Sequence, residues 1–312
     1  MMIIDSHCHM FGRGWIHEDW LLGLYKAGAA LMGKADGARL DARDFMVQMM
    51  PILEDTTGEK LVASMDAAGI DKTCIFALDF ELATGNPGVS IERQNSMVAE
   101  AAKRFPNRLI AFFSIDPRRP DGLAMFGRAI KEWDMRGLKL HPTSGYYPSD
   151  RVCYPFYEKC LEYGIPVVFH VGGQPAPLKA RFAQPVYVDD VAADFPDLSI
   201  IMAHVGSPNW EETLGIARMK PNVYFDFSAW QINFASGPSE FYRILRRILD
   251  GIGPWRLFFG TDGPFVNVAM PPDQWVKAIK EPNLSSCPDI SFSNEEKDII
   301  LGRAYARLMK LK

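Results

Sequence analysis

MMIIDSHCH, residues 1–9, opens the chain. It is an apolar run ending in two histidines two positions apart. In an extended strand successive side chains alternate, so the imidazoles of His7 and His9 share one face and Cys8 takes the other. Asp5 falls on the histidine face one layer deeper, which suits a carboxylate supporting them from behind.

The run has seven counterparts: KTCIFAL (72–78), RLIAFFSID (108–116), RGLKLHP (136–142), PVVFHVG (166–172), LSIIMAHVG (198–206), NVYFDFS (222–228) and RLFFGTDGP (256–264). Between them lie amphipathic segments such as IERQNSMVAEAAKRF and SEFYRILRRILDG. Ser90 and Ser293 supply helix-start signals, and Gly164 and Gly251 supply stops. Strands alternating with helices imply parallel pairing, and near-continuous apolar runs are what strands covered on both faces require. Eight such units predict an α/β fold of the (β/α)₈ TIM-barrel kind, one domain over residues 1–312. A doubly wound open sheet is the alternative, but it usually carries a Gly-rich phosphate loop, and none is present.

One spacing departs from the pattern. His9 and Lys72 lie 63 positions apart, where ~25–30 would serve a barrel unit. Residues 10–57 are therefore read as an insertion on the first strand-to-helix loop, with Arg13, Trp15, His17 and Trp20 in it. Loops on that side build a barrel's active site, so the segment is either a lid over the substrate or a subunit contact.

Composition bounds the rest. The 312 residues are 48% hydrophobic and 23% charged, with net charge −4. That balance excludes the basic footprint of a nucleic-acid or anionic-membrane partner and leaves a small-molecule substrate. No run approaches the ~18 apolar residues of a membrane span, and the N-terminus is not a signal peptide. Five cysteines with no CxxC pair read as reduced thiols of a cytoplasmic protein. GxSxG, Walker A and Rossmann fingerprints are all missing.

The chemistry concentrates at strand ends. Of six histidines, His7, His9, His141, His170 and His204 close predicted strands, on the face where barrel enzymes work. His7, His9 and His170 offer three nitrogens, and Asp262, closing the last strand beside the first, offers a carboxylate that also accepts a proton. That set suits one divalent metal ion: zinc, or alternatively manganese or iron. His204 is a proton-transfer, substrate-orienting or second-metal residue. Lys139, two before His141, is a buried cation for a substrate carboxylate or an inner Asp, or else a carboxylated bridge between two metals. His141 either contacts substrate or is a hydrogen-bonding wall residue. Arg13 and Arg181 stand where an anionic substrate needs a guanidinium. Trp15, Trp210, Trp230, Phe80 and Tyr146 follow strand ends and suit an aromatic-tolerant pocket. Asp226 is read with Asp5 as a supporting carboxylate.

These residues carry a family resemblance. Asp5-Ser6-His7-Cys8-His9, GLKLHP (137–142), PVVFHVGG (166–173), IIMAHVGSPNW (200–210), FFGTDGPF (258–265) and the closing EEKDIILGRAYARLM resemble the amidohydrolase superfamily. The nearest likeness is to its amidohydrolase-related branch, which holds metal-dependent hydrolases beside decarboxylases and hydratases of the aminocarboxymuconate-semialdehyde and resorcylate decarboxylase kind. The likeness runs nearly end to end, with 10–57 the main unmatched segment. It implies metal ligands His7, His9, His170 and Asp262, a catalytic or substrate-orienting His204, and a homodimer. Lys139 does not match the bridging lysine of two-metal members, so one metal is expected. GRAYARLM departs from the family's Asn-Ala-x-x-Leu-like ending, a matter of packing.

The leading expectation is a hydrolase in which Asp262 and His204 serve a metal-activated water attacking an amide, ester or lactone carbonyl. The alternative is a metal-dependent, non-oxidative decarboxylase of an aromatic or dienoic acid. A hydratase and an inactive binding protein rank behind both.

Overall fold

The computed structural model describes residues 1–36 and 42–311. Strands β1 (Ile4–His9), β2 (Lys72–Phe76) and β3 (Leu109–Ala111) pair in parallel in chain order. So do β4 (Phe113–Ser114), β5 (Leu138–Leu140), β6 (Val167–Phe169), β7 (Ile200–Met202), β8 (Val223–Asp226) and β9 (Leu257–Phe258). Only Phe112 separates β3 from β4. Its N–H donates to Ile75 O toward β2 (2.9 Å), while Phe113 N–H donates to Gly137 O toward β5 (2.9 Å). The two pieces are thus one barrel strand. The last strand returns to the first: Ser6 N–H donates to Phe259 O (2.9 Å), Asp262 N–H to His7 O (2.8 Å) and His9 N–H to Gly263 O (2.6 Å). Eight parallel strands therefore close on themselves, as the alternating pattern predicts.

Two apolar layers hold the barrel. Ile4, Cys74, Phe76, Ile110, Phe112, Val168, Ile201 and Phe258 fill its interior, plugged from below by Ile299, Ala304, Tyr305 and Met309 of the C-terminal helical segment. The alternate residues of the same strands, such as Ile75, Leu138, Leu140, Phe169 and Met202, pack outward against the helices. Burying a large side chain of this kind contributes about 1.5–3 kcal/mol. The five cysteines are free and buried.

Caps follow the sequence with one change. Ser90 Oγ accepts from Arg93 N–H at the start of Ile91–Arg104, and Ser293 forms a reciprocal box with Glu296. Gly164, with φ 65°, ends Tyr154–Tyr163. Gly251 is not a stop: Pro238–Ile252 runs through it, and Gly253, with φ 76°, follows. Gly251 is small because a Cβ there would lie 2.8 Å from Leu214 Cδ1.

The chain between β1 and β2 leaves and returns at one point, where Asp55 N–H donates to Phe11 O (2.8 Å). Within this excursion lie helices Glu18–Asp36 and Ala42–Leu53, which pack on each other. Residues 37–41 are outside the described residues. Among the described residues no helix is long and apolar enough to cross a membrane.

Candidate active site

The strand tips bring the histidines to one end of the barrel, and backbone contacts fix them there. β1 has a register irregularity between Asp5 and Cys8. Strict alternation fails across it. Ile4 lies in the interior cluster, and so does the His7 ring, edge-on to Phe76 at 4.8 Å. Asp5 does not lie beneath the two histidines as expected. It accepts from Thr261 N–H (2.9 Å), Thr261 Oγ1 (2.6 Å) and His7 N–H (3.1 Å). A buried carboxylate thus joins the backbones that carry His7 and Asp262. Asp262 itself has φ 54°, and His204 and Val205 have φ 60° and 48°. Non-glycine residues in this region are strained, and such strain clusters where side chains must be aimed.

His7, His9 and Asp262 each offer a ligand atom within 4.8 Å of the others, and His7, His204 and Asp226 form a second such group. His9 Nε2 lies 3.1 Å and His7 Nε2 3.4 Å from Asp262 Oδ1. His7 Nδ1 meets Asp226 Oδ2 at 2.9 Å. His204 Nδ1 meets Ser228 Oγ at 2.9 Å, and the His204 backbone N–H donates to Asp226 Oδ1 (3.1 Å). His170 belongs to neither group. Its Nδ1 faces His204 Nε2 at 3.1 Å, and its Nε2 lies 3.3 Å from Gly173 O. Lys139 is fully buried, with Nζ 3.2 Å from His7 Nε2.

The charge state follows from burial. Desolvation, with the charge on Lys139, drives the His7 pKa down to about 3. Burial also lowers His9, His141 and His170, so these imidazoles are neutral, as ligands must be. Burial opposes ionisation of Asp226 and Asp262. The surrounding imidazoles, His7 for Asp226 and His204 with His9 for Asp262, outweigh it and hold both carboxyls well below the usual range. Burial lowers Lys139 to about 8 and raises Asp5 to about 7.

An ionised Asp226 only accepts, so His7 Nδ1 carries the proton and Nε2 the lone pair. That lone pair converges with His9 Nε2 and an ionised Asp262 oxygen, and His9 Nδ1 is buried without a partner. Two imidazole nitrogens and a carboxylate, backed by an Asp–His bond, fit a borderline divalent cation.

Above this floor the rings form a closed circuit. His7 contacts His9 (5.2 Å between centroids), His9 contacts Phe265 (5.7 Å), Phe265 contacts Trp20 (5.6 Å) and Trp20 contacts Phe80 (5.2 Å). Phe80 contacts His141 (4.7 Å), His141 stacks on His170 (4.1 Å), His170 contacts His204 (4.8 Å) and His204 contacts His7 (4.9 Å). His141 Nδ1 also meets Thr143 Oγ1 at 2.7 Å.

Other expected substrate contacts lie elsewhere. Arg13 is exposed and paired with Glu54 (3.1 Å). Arg181 is exposed over the Phe182 ring. Trp15 is buried in the outer core, its carbonyl accepting from Gln94 Nε2 (2.8 Å). Trp20, five residues on and inside the helix Glu18–Asp36, reaches the ring circuit instead. Trp230 Nε1 donates to His204 O (2.6 Å), and Tyr146 OH accepts from His141 N–H (2.9 Å), so both brace the site from behind. Phe265, Gln174, Ser228 and Thr143 were not singled out beforehand. Only Phe265, three residues past Asp262, had a local signal.

The family model described as amidohydrolase matches residues 4–308. A curated relative, 2-keto-4-carboxy-3-hexenedioate hydratase of Sphingobium sp. (strain NBRC 103272 / SYK-6), is 25% identical over 268 residues, covering 72% of this chain and 75% of its own. Among solved structures, 5-carboxyvanillate decarboxylase from Novosphingobium aromaticivorans, with bound manganese and 3-methoxy-4-hydroxy-5-nitrobenzoic acid, superposes with a TM-score of 0.68 at 17% identity, over 99% of this chain and 97% of that one. 4-Oxalomesaconate hydratase from Rhodopseudomonas palustris superposes at 0.63 and 19% identity, over 99% and 96%. Likeness at these identities shows the shared fold.

Proposed function

The chain belongs to the amidohydrolase family, and on that premise we propose that it is a metal-dependent lyase releasing CO₂ from a small, planar, conjugated carboxylic acid. The observation that carries this reading is the closed circuit of rings that runs through His7 and His9 beside Asp262. Flat ring faces at the barrel mouth suit a flat substrate. Hydrolysis, the leading expectation from sequence, is less well supported. The relatives named above are decarboxylases and hydratases, none an amide hydrolase.

His7, His9 and Asp262 would hold the metal; His170, whose nitrogens face His204 and Gly173, lies outside that group. When bound, the divalent ion supplies positive charge that polarises substrate oxygens. The remaining work falls to the chain itself. Asp226 keeps His7 in the tautomer that presents Nε2. Asp262, ionised at rest, takes the proton of a substrate hydroxyl. As the carbon–carboxylate bond breaks, its electron pair stays on carbon. Asp262 returns the proton there, and the substrate oxygen regains one from solvent. His204, held by Ser228 and His170, orients the leaving carboxylate. The buried rings keep water from the reacting carbon.

The second reading, water addition to an unsaturated keto acid, rests on the Sphingobium hydratase. The test is to supply manganese-loaded protein with hydroxybenzoates and with unsaturated keto-dicarboxylates, following CO₂ and product mass. CO₂ release is expected. Addition of one water without CO₂ moves the assignment to the hydratase, and acid release from lactones alone restores hydrolysis.

A further inference from the structure

The ring circuit has one member from outside the strand-tip loops, Trp20, on the first helix of the 10–57 excursion. It is 3% exposed, and two contacts hold it against the loop after β6. Its Nε1–H donates to Gln174 Oε1 (3.2 Å). One turn on, Gly23 faces Ala176 so closely that a Cβ would lie 2.1 Å from the Ala176 carbonyl oxygen. The Gln174 amide is fixed as a result. With Oε1 accepting from the indole, Nε2 turns toward His170 Nε2 (3.4 Å). A buried tryptophan N–H ordinarily finds a partner; here that partner is the side chain of Gln174, whose amide nitrogen lies beside a ligand-type histidine, so the pair joins the excursion to the site.

We propose that Trp20 and Gln174 form the substrate-recognition wall that the excursion adds to the barrel. The indole covers one face of a planar conjugated acid, and the Gln174 amide N–H, aimed by Trp20, donates to a substrate oxygen on the side away from Asp262. This rests on the lyase reading above and names the residues that set its substrate class. Planar acids bind by stacking, and bulky saturated ones are refused.

The experiment compares the manganese-loaded wild type with Trp20→Phe, Trp20→Ala and Gln174→Leu. Calorimetry follows two probes, 3-methoxy-4-hydroxy-5-nitrobenzoic acid and the non-planar cyclohexanecarboxylic acid. Metal content is measured in each protein. The wild type is expected to prefer the planar acid by about two- to tenfold, the range of an offset-stacked aromatic contact. Trp20→Ala should erase the preference with manganese content unchanged. Trp20→Phe, which keeps a ring but loses the N–H, should fall between, and Gln174→Leu should weaken the planar acid alone. Wild-type discrimination surviving in Trp20→Ala overturns the inference and leaves the lyase reading intact. A wild type that holds manganese but binds neither acid overturns both.

Discussion

The strand tips and the excursion after β1 contribute to one ring of side chains, but different forces hold them. At the tips each functional residue is fixed by ionised or backbone partners: Asp226 on His7 and His204, Asp5 on Thr261 and His7 N–H, His7 O on Asp262 N–H. The excursion reaches the ring through neutral contacts: the Trp20 indole packed on Phe80 and Phe265 and bonded to Gln174, Phe11 against Phe265, and Gly23 against Ala176. Charge-assisted bonds in a dry interior are strong and directional. One neutral bond and a packing face can be remade. On the lyase reading proposed above, the chemistry falls to the tips and the selectivity to the excursion.

The largest expected effect tests the tips. Asp262→Asn removes both a metal oxygen and the proton carrier, and turnover should fall by roughly 10³-fold or more. Steady-state rates on any substrate found above check it, and retained activity would break the assignment. Next is Asp226→Asn. An amide keeps the shape but loses the charge on His7 Nδ1, and manganese affinity should drop about 10–100-fold by titration. An unchanged affinity would mean that the second carboxylate is structural only.

The excursion should answer differently. Gly23→Val drives a side chain into the Ala176 carbonyl and should cost about 1–3 kcal/mol in denaturant unfolding. Protease cleavage should appear within 18–53 while metal content stays at the wild-type level. Loss of metal in this variant would show that the two regions are not separable. The smallest effect is Arg13→Ala. Its pair with Glu54 is solvent-exposed, so stability should shift by less than about 0.5 kcal/mol, with KM unchanged. A large rise in KM would return Arg13 to the substrate site.

The same division explains what the sequence revealed. A histidine at a strand end is legible because period-2 alternation and the barrel's one-sided chemistry both act locally. His7, His9, His141, His170 and His204 all lie where that logic puts them, at the barrel mouth. The Asp226–His7 bond was hidden because it joins residues 219 apart in sequence, and no local pattern encodes who meets whom across a barrel. Asp5 was placed on the wrong face because a register irregularity interrupts β1. Trp15 and Trp20 were indistinguishable as letters. Which of them turned inward depended on how the helix Glu18–Asp36 settles on Ala176, a tertiary contact. Arg13 was drawn to Glu54, 41 residues on, for the same reason.

The most direct test of the account is the metal content of purified protein, measured by elemental analysis for zinc, manganese and iron. A His7→Ala, His9→Ala double variant is carried alongside. The account predicts about one equivalent of divalent metal in the wild type and its loss in the variant. Wild-type protein that stays metal-free after supplementation, or a variant that keeps its full equivalent, would contradict it.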